Sequence, residues 1–182
     1  RYLYRPELGR FARTLTVGPS GDVQPDPTLD SSLAGLFLFG LFSPRDPRIV
    51  ATMRAIEERL WVKTPVGGVA RYEDDYYYQM SRDLERVPGN PWFICTLWLA
   101  EWHIARAVSP GELGRALELL EWVVTHALPS GVLAEQVHPE TGEPLSVSPL
   151  SWSHGTFIET VLQYLEREGQ LAAAGWPSFL AP

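Results

Sequence analysis

The sequence has 182 residues, 45% of them hydrophobic and 20% charged, which fits one domain with a single core and excludes a disordered chain. Its formal net charge of −7 argues against nucleic acid and anionic membranes as partners. The apolar runs are shorter than the roughly 20 residues that a membrane-spanning helix needs, and a single cysteine, Cys95, excludes an internal disulfide framework.

An αα-hairpin is predicted in the first third of the chain. Its first helix should cover Asp30 to Phe42, with Asp30 as the N-cap and apolar residues on every side, which is typical of a helix buried all round. After the turn Ser43–Asp46, Pro47 suits the first position of a second helix. Apolar residues then recur at helical spacing as far as Leu60, with charged residues between them, so we expect this helix to have one face in water.

The same alternation recurs further along the chain. Asn90 and the proline after it can cap and start an apolar helix from Trp92 to Ala100. Ser109 begins a capping box that opens an amphipathic helix containing Leu113 to Val124. Helices buried on all sides and helices with one exposed face are therefore predicted to alternate.

Two further helices complete the prediction. One should run from about Ser151 to Glu168 and end at Gly169, and the segment Pro6 to Leu15 is a candidate for the other. No stretch shows a convincing period-2 alternation of strands. The predicted fold class is all-α, built from αα-hairpins whose inner helices are buried and whose outer helices face water.

Long connections lead into each inner helix, at Thr16–Leu29, Val62–Gly89 and Pro129–Leu150. Loops longer than roughly 12–15 residues are uncommon and are often functional. In a ring of αα-hairpins these loops lie on one rim, at the N-terminal ends of the inner helices. We therefore expect the functional site on that rim.

The rim loops combine acidic, basic and aromatic residues. Gly67–Tyr78 holds one arginine, three acids and four tyrosines. The next loop carries Glu135 and Gln136 and leads to Trp152. Aromatic rings can cover the apolar faces of a sugar and a carboxylate can activate water, so this composition favours carbohydrate chemistry. A salt-bridged surface turn has the same composition, and the residue pattern leaves both interpretations open.

Metal and triad chemistry are not expected. The four histidines have no zinc-type spacing, and Cys95 is far from them in sequence. Ser153 and His154 are adjacent, which does not suit a catalytic triad. No cofactor is predicted.

Four blocks, taken together and in this order, resemble the glucoamylases of glycoside hydrolase family 15. They are Leu29–Leu33 with the turn Ser43–Arg48, Gly68–Tyr77, Gly89–Leu97, and Ala134–Gln136 followed by Leu150–Ser153. The resemblance covers most of the chain after Thr28. It implies an (α/α)6 toroid of six inner and six outer helices, and an enzyme that releases glucose from the non-reducing ends of α-glucans with inversion.

The resemblance also assigns roles to individual residues. Glu135 matches the general base that activates the attacking water. Five further residues match family positions that bind the substrate or lie beside it. They are Arg71, Asp75, Trp92, Gln136 and Trp152. The stretch from about Gln79 to Pro88 is longer than in fungal members and is more similar to the prokaryotic branch.

The general acid that an inverting mechanism needs matches nothing in this chain. In the family it lies upstream, so residues 1–182 are predicted to be one partial domain, the C-terminal half of the toroid, which agrees with a chain that begins at Arg1. The expected partners are an α-glucan or oligosaccharide, the missing N-terminal half and a second copy of the chain. We expect the fragment alone to be inactive, and one cysteine favours a cytoplasmic over a secreted protein.

Two alternatives to catalysis stay open. One is a toroid that binds glucan or regulates a partner protein without hydrolysis, as related toroids do in regulatory subunits of phosphorylase kinase. The other is a helical interaction module whose rim residues are only solvated. The linkage and the chain length of the substrate are not predicted, and trehalose is among the α-glucosides considered.

Overall fold

Helices form most of the regular structure in the computed structural model, which describes residues 3–174. The α-helices are α1 (Gly35–Leu38), α2 (Pro47–Arg59), α3 (Phe93–Arg106), α4 (Gly114–Thr125) and α5 (Ser151–Ala174). Short strands form three antiparallel ribbons, β1 (Tyr4–Arg5) with β2 (Arg10–Phe11), β3 (Leu15–Val17) with β4 (Val23–Pro25), and β5 (Gln136–Val137) with β6 (Pro144–Leu145). None of the helices in this part of the chain has the length and hydropathy to span a membrane.

Helix α3 is the central element of the core. It packs against both α4 and α5 and against a 3-10 turn at Ser31–Ala34, and Leu97, Leu99 and Trp102 on it are fully buried. In contrast, α2 and α4 each bury one face and expose the other. The predicted alternation of buried and amphipathic helices is confirmed for α2, α3 and α4, and the chain fits part of an (α/α)6 toroid.

The first predicted helix is shorter than Asp30 to Phe42. The 3-10 turn at Ser31–Ala34 leads into a single turn of α-helix in α1, and Gly40, at φ 72°, lies after the helix end. The carboxylate of Asp30 does cap the turn, since its Oδ1 accepts a 2.8 Å hydrogen bond from the backbone N–H of Ser32. Burial on all sides is wrong for this segment, because Leu41 is exposed.

The expectation of a helix over Pro6 to Leu15 is wrong. Only Pro6–Leu8 is helical, as one 3-10 turn that ends at Gly9 in the left-handed conformation, and β1 and β2 pair on either side of it. Phe11 of β2 is buried, and its N–H bonds to the hydroxyl of Thr52 in α2 at 3.2 Å. Tertiary contact with α2 therefore favours the ribbon at this place.

Helix α5 continues past Gly169 to Ala174, so the predicted end at this glycine is wrong. Leu171 is buried beside Ile104 and Leu113, which holds the last turns of α5 against the core. Gln170 also donates to Glu166 at 3.1 Å along the helix. These contacts outweigh the cost of one glycine in a helix, about 1 kcal/mol.

The capping box predicted at Ser109 is replaced by a different arrangement. Residues Pro110–Leu113 form a 3-10 turn and α4 starts after it, at Gly114. The hydroxyl of Ser109 makes no capping bond, and the carboxylate of Glu112 accepts instead from the N–H of Val108.

Candidate active site

The rim loops are joined by short antiparallel backbone pairings. The paired residues are Asp30 with Tyr72, Ala70 with Pro91, and Trp92 with Gln136. The hydroxyl of Ser153 at the start of α5 also donates to the carbonyl of Ala134 at 2.8 Å. These main-chain pairings and the hydroxyl of Ser153 thus bring the N-terminal ends of α1, α3 and α5 to one place.

Close packing at Gly68 fixes the path of the loop that carries Arg71. Gly68 has a φ of 84°, and a Cβ there would lie 2.5 Å from Cζ2 of Trp122 and 2.7 Å from Cβ of Pro91. The indole N–H of Trp122 donates to the carbonyl of Val66 at 2.7 Å, so the ring is itself fixed. Only glycine combines this φ with this approach.

Arg71 and Asp75 form a bidentate pair in the first rim loop. Nε and Nη2 of Arg71 donate to the two carboxylate oxygens of Asp75 at 2.8 and 2.7 Å. Burial acts to lower the pKa of Arg71, but the hydrogen bonds and the charge of Asp75 outweigh it and the pKa is raised. Asp75 is only 1% exposed and also accepts from the N–H of Tyr77 at 3.0 Å. The pair is therefore a salt bridge, as the alternative interpretation of this loop expects, but its carboxylate is buried rather than solvated.

The guanidinium of Arg71 also lies among aromatic rings. Its Cζ is 4.6 Å from the ring centroid of Trp92, 4.8 Å from that of Tyr72 and 5.2 Å from that of Tyr77. Cation–π attraction therefore adds to the ion pair in fixing the guanidinium. Trp92 itself is 4% exposed, so it supports Arg71 and offers little open ring face.

Glu135 is half-buried, immediately before β5. Its Oε2 accepts a 2.5 Å hydrogen bond from the hydroxyl of Ser146 and a 3.3 Å bond from the side-chain amide of Gln136. Its backbone N–H donates to the carbonyl of Val147 at 2.8 Å. The carboxylate is thus oriented by one donor in β5 and by another that directly follows β6.

Gln136 is buried behind Glu135. Its Oε1 accepts a 2.9 Å hydrogen bond from Nδ2 of Asn90, which also donates to the carbonyl of Tyr78 at 2.7 Å. The prediction that Asn90 caps the following helix is wrong, because Trp92 occupies the N-cap of α3 and makes no side-chain cap bond. Asn90 instead orients the glutamine beside Glu135.

A cleft of about 460 Å³ gathers most of the predicted site residues. Its lining comprises Asp30, Ser32, Arg71, Tyr72, Trp92, Ile94, Cys95, Trp98, Glu135 and Trp152. The volume lies in the range of about 300–1,000 Å³ that is usual for small-molecule sites. Trp152 is 55% exposed, and its ring meets that of Trp98 at a centroid distance of 5.8 Å.

Asp75 and Gln136, two of the six predicted residues, do not line this cleft. Both are almost fully buried, and they bond to Arg71 and Glu135, which do line it. The structure also places three residues at the site that the sequence analysis does not predict there. Ser146 bonds to Glu135, Asn90 bonds to Gln136, and Trp98 lines the cleft. Ser146 is in the left-handed conformation, at φ 64°, and no feature of the sequence marks it.

Within residues 3–174, no group of three His, Cys, Asp or Glu side chains is arranged to hold a metal ion. Burial raises the pKa of the Cys95 thiol, so this cysteine lines the cleft as a neutral, apolar group.

Comparison with known proteins gives one consistent result. The model of the glycosyl hydrolases family 15 matches residues 19–162. An uncharacterized glycosyl hydrolase of Methanocaldococcus jannaschii is 34% identical over 165 residues, which cover 85% of this chain and 24% of that protein. A trehalase of Mycobacterium tuberculosis is 31% identical, with 82% of this chain and 20% of the enzyme covered. A glucoamylase of Clostridium sp. is 30% identical, with 80% and 21% covered.

A solved structure has the same fold. The crystal structure of a bacterial glucoamylase complexed with acarbose matches with a TM-score of 0.69 at 24% identity, over 87% of this chain and 25% of the other. The chain therefore spans between a fifth and a quarter of the length of these proteins.

Proposed function

The chain belongs to glycosyl hydrolase family 15, and from this we propose that it supplies the general base, Glu135, of an enzyme that hydrolyses α-glucosides with inversion. The observation that carries the proposal is the placement of Glu135. Its carboxylate lines a cleft together with Arg71 and three tryptophans, while Ser146 and Gln136 orient it. A carboxylate held in this way can take a proton from an attacking water.

The other lining residues have complementary roles in this proposal. Nε and Nη2 of Arg71 are taken by Asp75, and Nη1 makes no hydrogen bond to any residue described, so it is the group to donate to a sugar hydroxyl. Trp152, which is largely exposed, offers the open aromatic face for the apolar side of a glucose ring. Trp92 supports the guanidinium of Arg71, and Gln136 orients the carboxylate of Glu135.

Inversion requires a second carboxylic acid roughly 6.5–9.5 Å from the base. The other carboxylate in the cleft is that of Asp30, whose oxygens bond to the N–H of Ser32 and face Arg13 at 3.5 Å. Because Asp30 is engaged as a cap and an ion pair, we place the general acid in the part of the enzyme outside this chain. The isolated chain should then release no glucose from maltose or trehalose. Glucose release that depends on Glu135 would contradict this.

The substrate class in this proposal is an α-linked glucose di- or oligosaccharide. Relatives of this chain are named trehalase and glucoamylase, so both trehalose and starch-like maltooligosaccharides belong in the test.

The proposed partner is the remainder of the same toroid. In support, α5 exposes Ile158, Leu162 and Leu165, which lie on one face of the helix. A second copy of the chain could cover the same face, and the oligomeric state in solution distinguishes the two.

The test is Glu135→Gln in the full-length protein. Loss of the base should lower kcat by about 10²–10⁴-fold with little change in KM. Glu140→Gln is the matched control, because Glu140 is exposed on the same loop. Near-normal turnover by the Glu135 variant would overturn the assignment. Binding of glucan by an unaltered protein that hydrolyses nothing would favour a non-catalytic toroid instead.

A further inference from the structure

Glu101 is a buried acid that the proposed reaction does not use. It lies on α3 and is 4% exposed, and its Oε1 is 2.8 Å from the hydroxyl oxygen of Thr160 on α5. Thr160 is fully buried, and the same hydroxyl oxygen lies 2.7 Å from the backbone carbonyl of Thr156. One hydroxyl therefore bridges two oxygens from different elements.

The proton count of this bridge decides its chemistry. A threonine hydroxyl has one hydrogen to donate and two lone pairs that accept, whereas a backbone carbonyl can only accept. If Thr160 donates to Thr156, which is a common bond within helices, the contact to Glu101 needs a hydrogen from Glu101. An ionised Glu101 would leave two acceptors competing for one hydrogen in a buried site.

We propose that Glu101 is protonated in the folded protein and donates its hydrogen to Thr160, so that this proton holds α5 against α3.

The charges around Glu101 support a neutral acid. It borders a cleft of about 640 Å³ between α1, α3 and α5, in which the other ionisable side chain is Glu159 of α5. The remaining lining groups from the Ser31–Ala34 turn, α1 and α3 are neutral. Other charged groups on α2, α3, α4 and α5 are bonded to partners other than Glu101. Glu57 of α2 and Arg115 of α4 bond to each other, and Glu57 also bonds to His103 of α3. Glu112 accepts from Val108, and Arg167 donates to the carbonyl of Ala107.

The pKa of Glu101 agrees with the geometry. Burial raises it to about 7 and outweighs the opposite effect of the hydrogen bond that Thr160 could donate to the ionised carboxylate, while the charge of Glu159 adds to the rise. The proton, and with it the bridge, should therefore be present in mildly acidic solution and be lost as the pH rises through 7.

The bridge lies close to the proposed sugar site. Thr160 is about two helical turns beyond Trp152 on α5, and Glu101 is about one turn beyond Trp98 on α3. The Trp98 and Trp152 rings pack together between these positions and the rim. A role of the bridge in positioning Trp152 would rest on the proposed function, but the protonation of Glu101 does not.

The experiment compares Glu101→Gln with the unaltered full-length protein. A glutamine amide can donate to Thr160 at every pH, so it copies the protonated acid. Unfolded glutamate ionises near pH 4.5 and folded Glu101 near pH 7, so the two proteins should unfold at nearly the same temperature at pH 4.5. The variant should become the more stable one as the pH rises to 8, by up to about 300-fold in the folding equilibrium constant.

Glu159→Gln is the matched control on the facing helix. It should keep the decline in stability with pH, with a lower midpoint, because it removes the like charge beside Glu101. Infrared spectra at pH 6 give an independent readout. The carboxylic acid C=O band should be weaker in Glu101→Gln than in the unaltered protein and unchanged in Glu159→Gln.

Three results would overturn the proposal. The first is a stability difference between Glu101→Gln and the unaltered protein that does not vary between pH 4.5 and 8. The second is an infrared spectrum that Glu101→Gln leaves unchanged. The third is failure of Glu101→Gln to fold, because an amide makes the same hydrogen bond as a neutral acid. These readouts do not require activity, so they do not depend on the role of Glu135.

Discussion

The hydroxyl of Ser146, which directly follows β6, donates a 2.5 Å hydrogen bond to the carboxylate of Glu135, which directly precedes β5. Ser146 does not line the cleft, so its contribution to the reaction should be the orientation of Glu135. Ser146→Ala in the full-length protein should lower kcat by about tenfold, since a hydrogen bond to a charged group contributes about 1.5–3 kcal/mol, and leave KM nearly unchanged. Steady-state kinetics measure both constants. Thr141→Ala, in the exposed turn of the same loop, is the control, and a change in KM alone would contradict this role.

The ion pair of Arg71 and Asp75 predicts different effects for two adjacent acids. Asp75→Asn removes a buried charge that holds the guanidinium with two hydrogen bonds, and it should lower the free energy of unfolding by about 1–3 kcal/mol. Asp74→Asn is the control, because Asp74 is exposed, and its φ of 60° suits asparagine equally well. Urea unfolding curves compare the two. Equal losses would show that the pair does not stabilise the loop.

Two glycines should respond in opposite directions to alanine. Gly68→Ala forces a Cβ to within 2.5 Å of Trp122 at a positive φ, so it should destabilise the protein by several kcal/mol, of the order seen for the largest point-mutation effects. Gly169→Ala places a methyl group in open space within α5 and should stabilise it by about 0.5–1 kcal/mol. Thermal unfolding tests both signs. A neutral Gly68→Ala would mean that the loop can move away from Trp122.

Glu57 joins three helices and should make stability depend on acid pH. It accepts from His103 at 3.2 Å and from Arg115 at 2.8 Å. Burial raises its pKa, but these two hydrogen bonds and charges outweigh burial and lower the pKa to about 2. The stabilisation should therefore be complete above about pH 4.5, the value for unfolded glutamate, and disappear as the pH falls toward 2.

Glu57→Gln measures this dependence. The variant should be less stable than the unaltered protein by about 1–3 kcal/mol at pH 7, and the difference should narrow below pH 4.5. Glu58→Gln, at the exposed neighbouring position, is the control. A difference that stays constant from pH 7 to pH 2.5 would contradict the ionic origin of the stabilisation.

Periodicity and caps predicted those parts of the fold that depend on local signals. Asp46 and Pro47 mark the start of α2, and the side chain of Asp46 accepts from the N–H of Arg48 as expected. The end of α5 and the fate of Pro6 to Leu15 depend instead on distant partners, Ile104 and Leu113 for Leu171 and Thr52 for Phe11. Local propensity contains no information about those partners.

At the candidate site, too, local sequence blocks predicted some features, whereas others depend on burial and on distant partners. The Gly68–Tyr77 and Ala134–Gln136 blocks predicted Arg71 and Glu135 at the rim, and the structure places both in one cleft. The sequence does not separate the residues that line the cleft from those behind it, because it does not show that Asp75 and Gln136 are almost fully buried. An asparagine before a helix most often caps it, which is the local basis for the cap predicted at Asn90, whereas the observed partner, Gln136, lies 46 residues away.

The backbone pairings along the rim have a consequence for how this site can change. Because Asp30 and Tyr72, Ala70 and Pro91, and Trp92 and Gln136 are aligned through main-chain atoms, the spacing of the loops does not depend on which side chains face the cleft. For the proposed glucosidase, substitutions at Ser32, Trp98 or Trp152 should therefore alter sugar selectivity while the scaffold keeps its register. Libraries that vary these three positions together offer a practical starting point for changing which glucoside the proposed enzyme accepts.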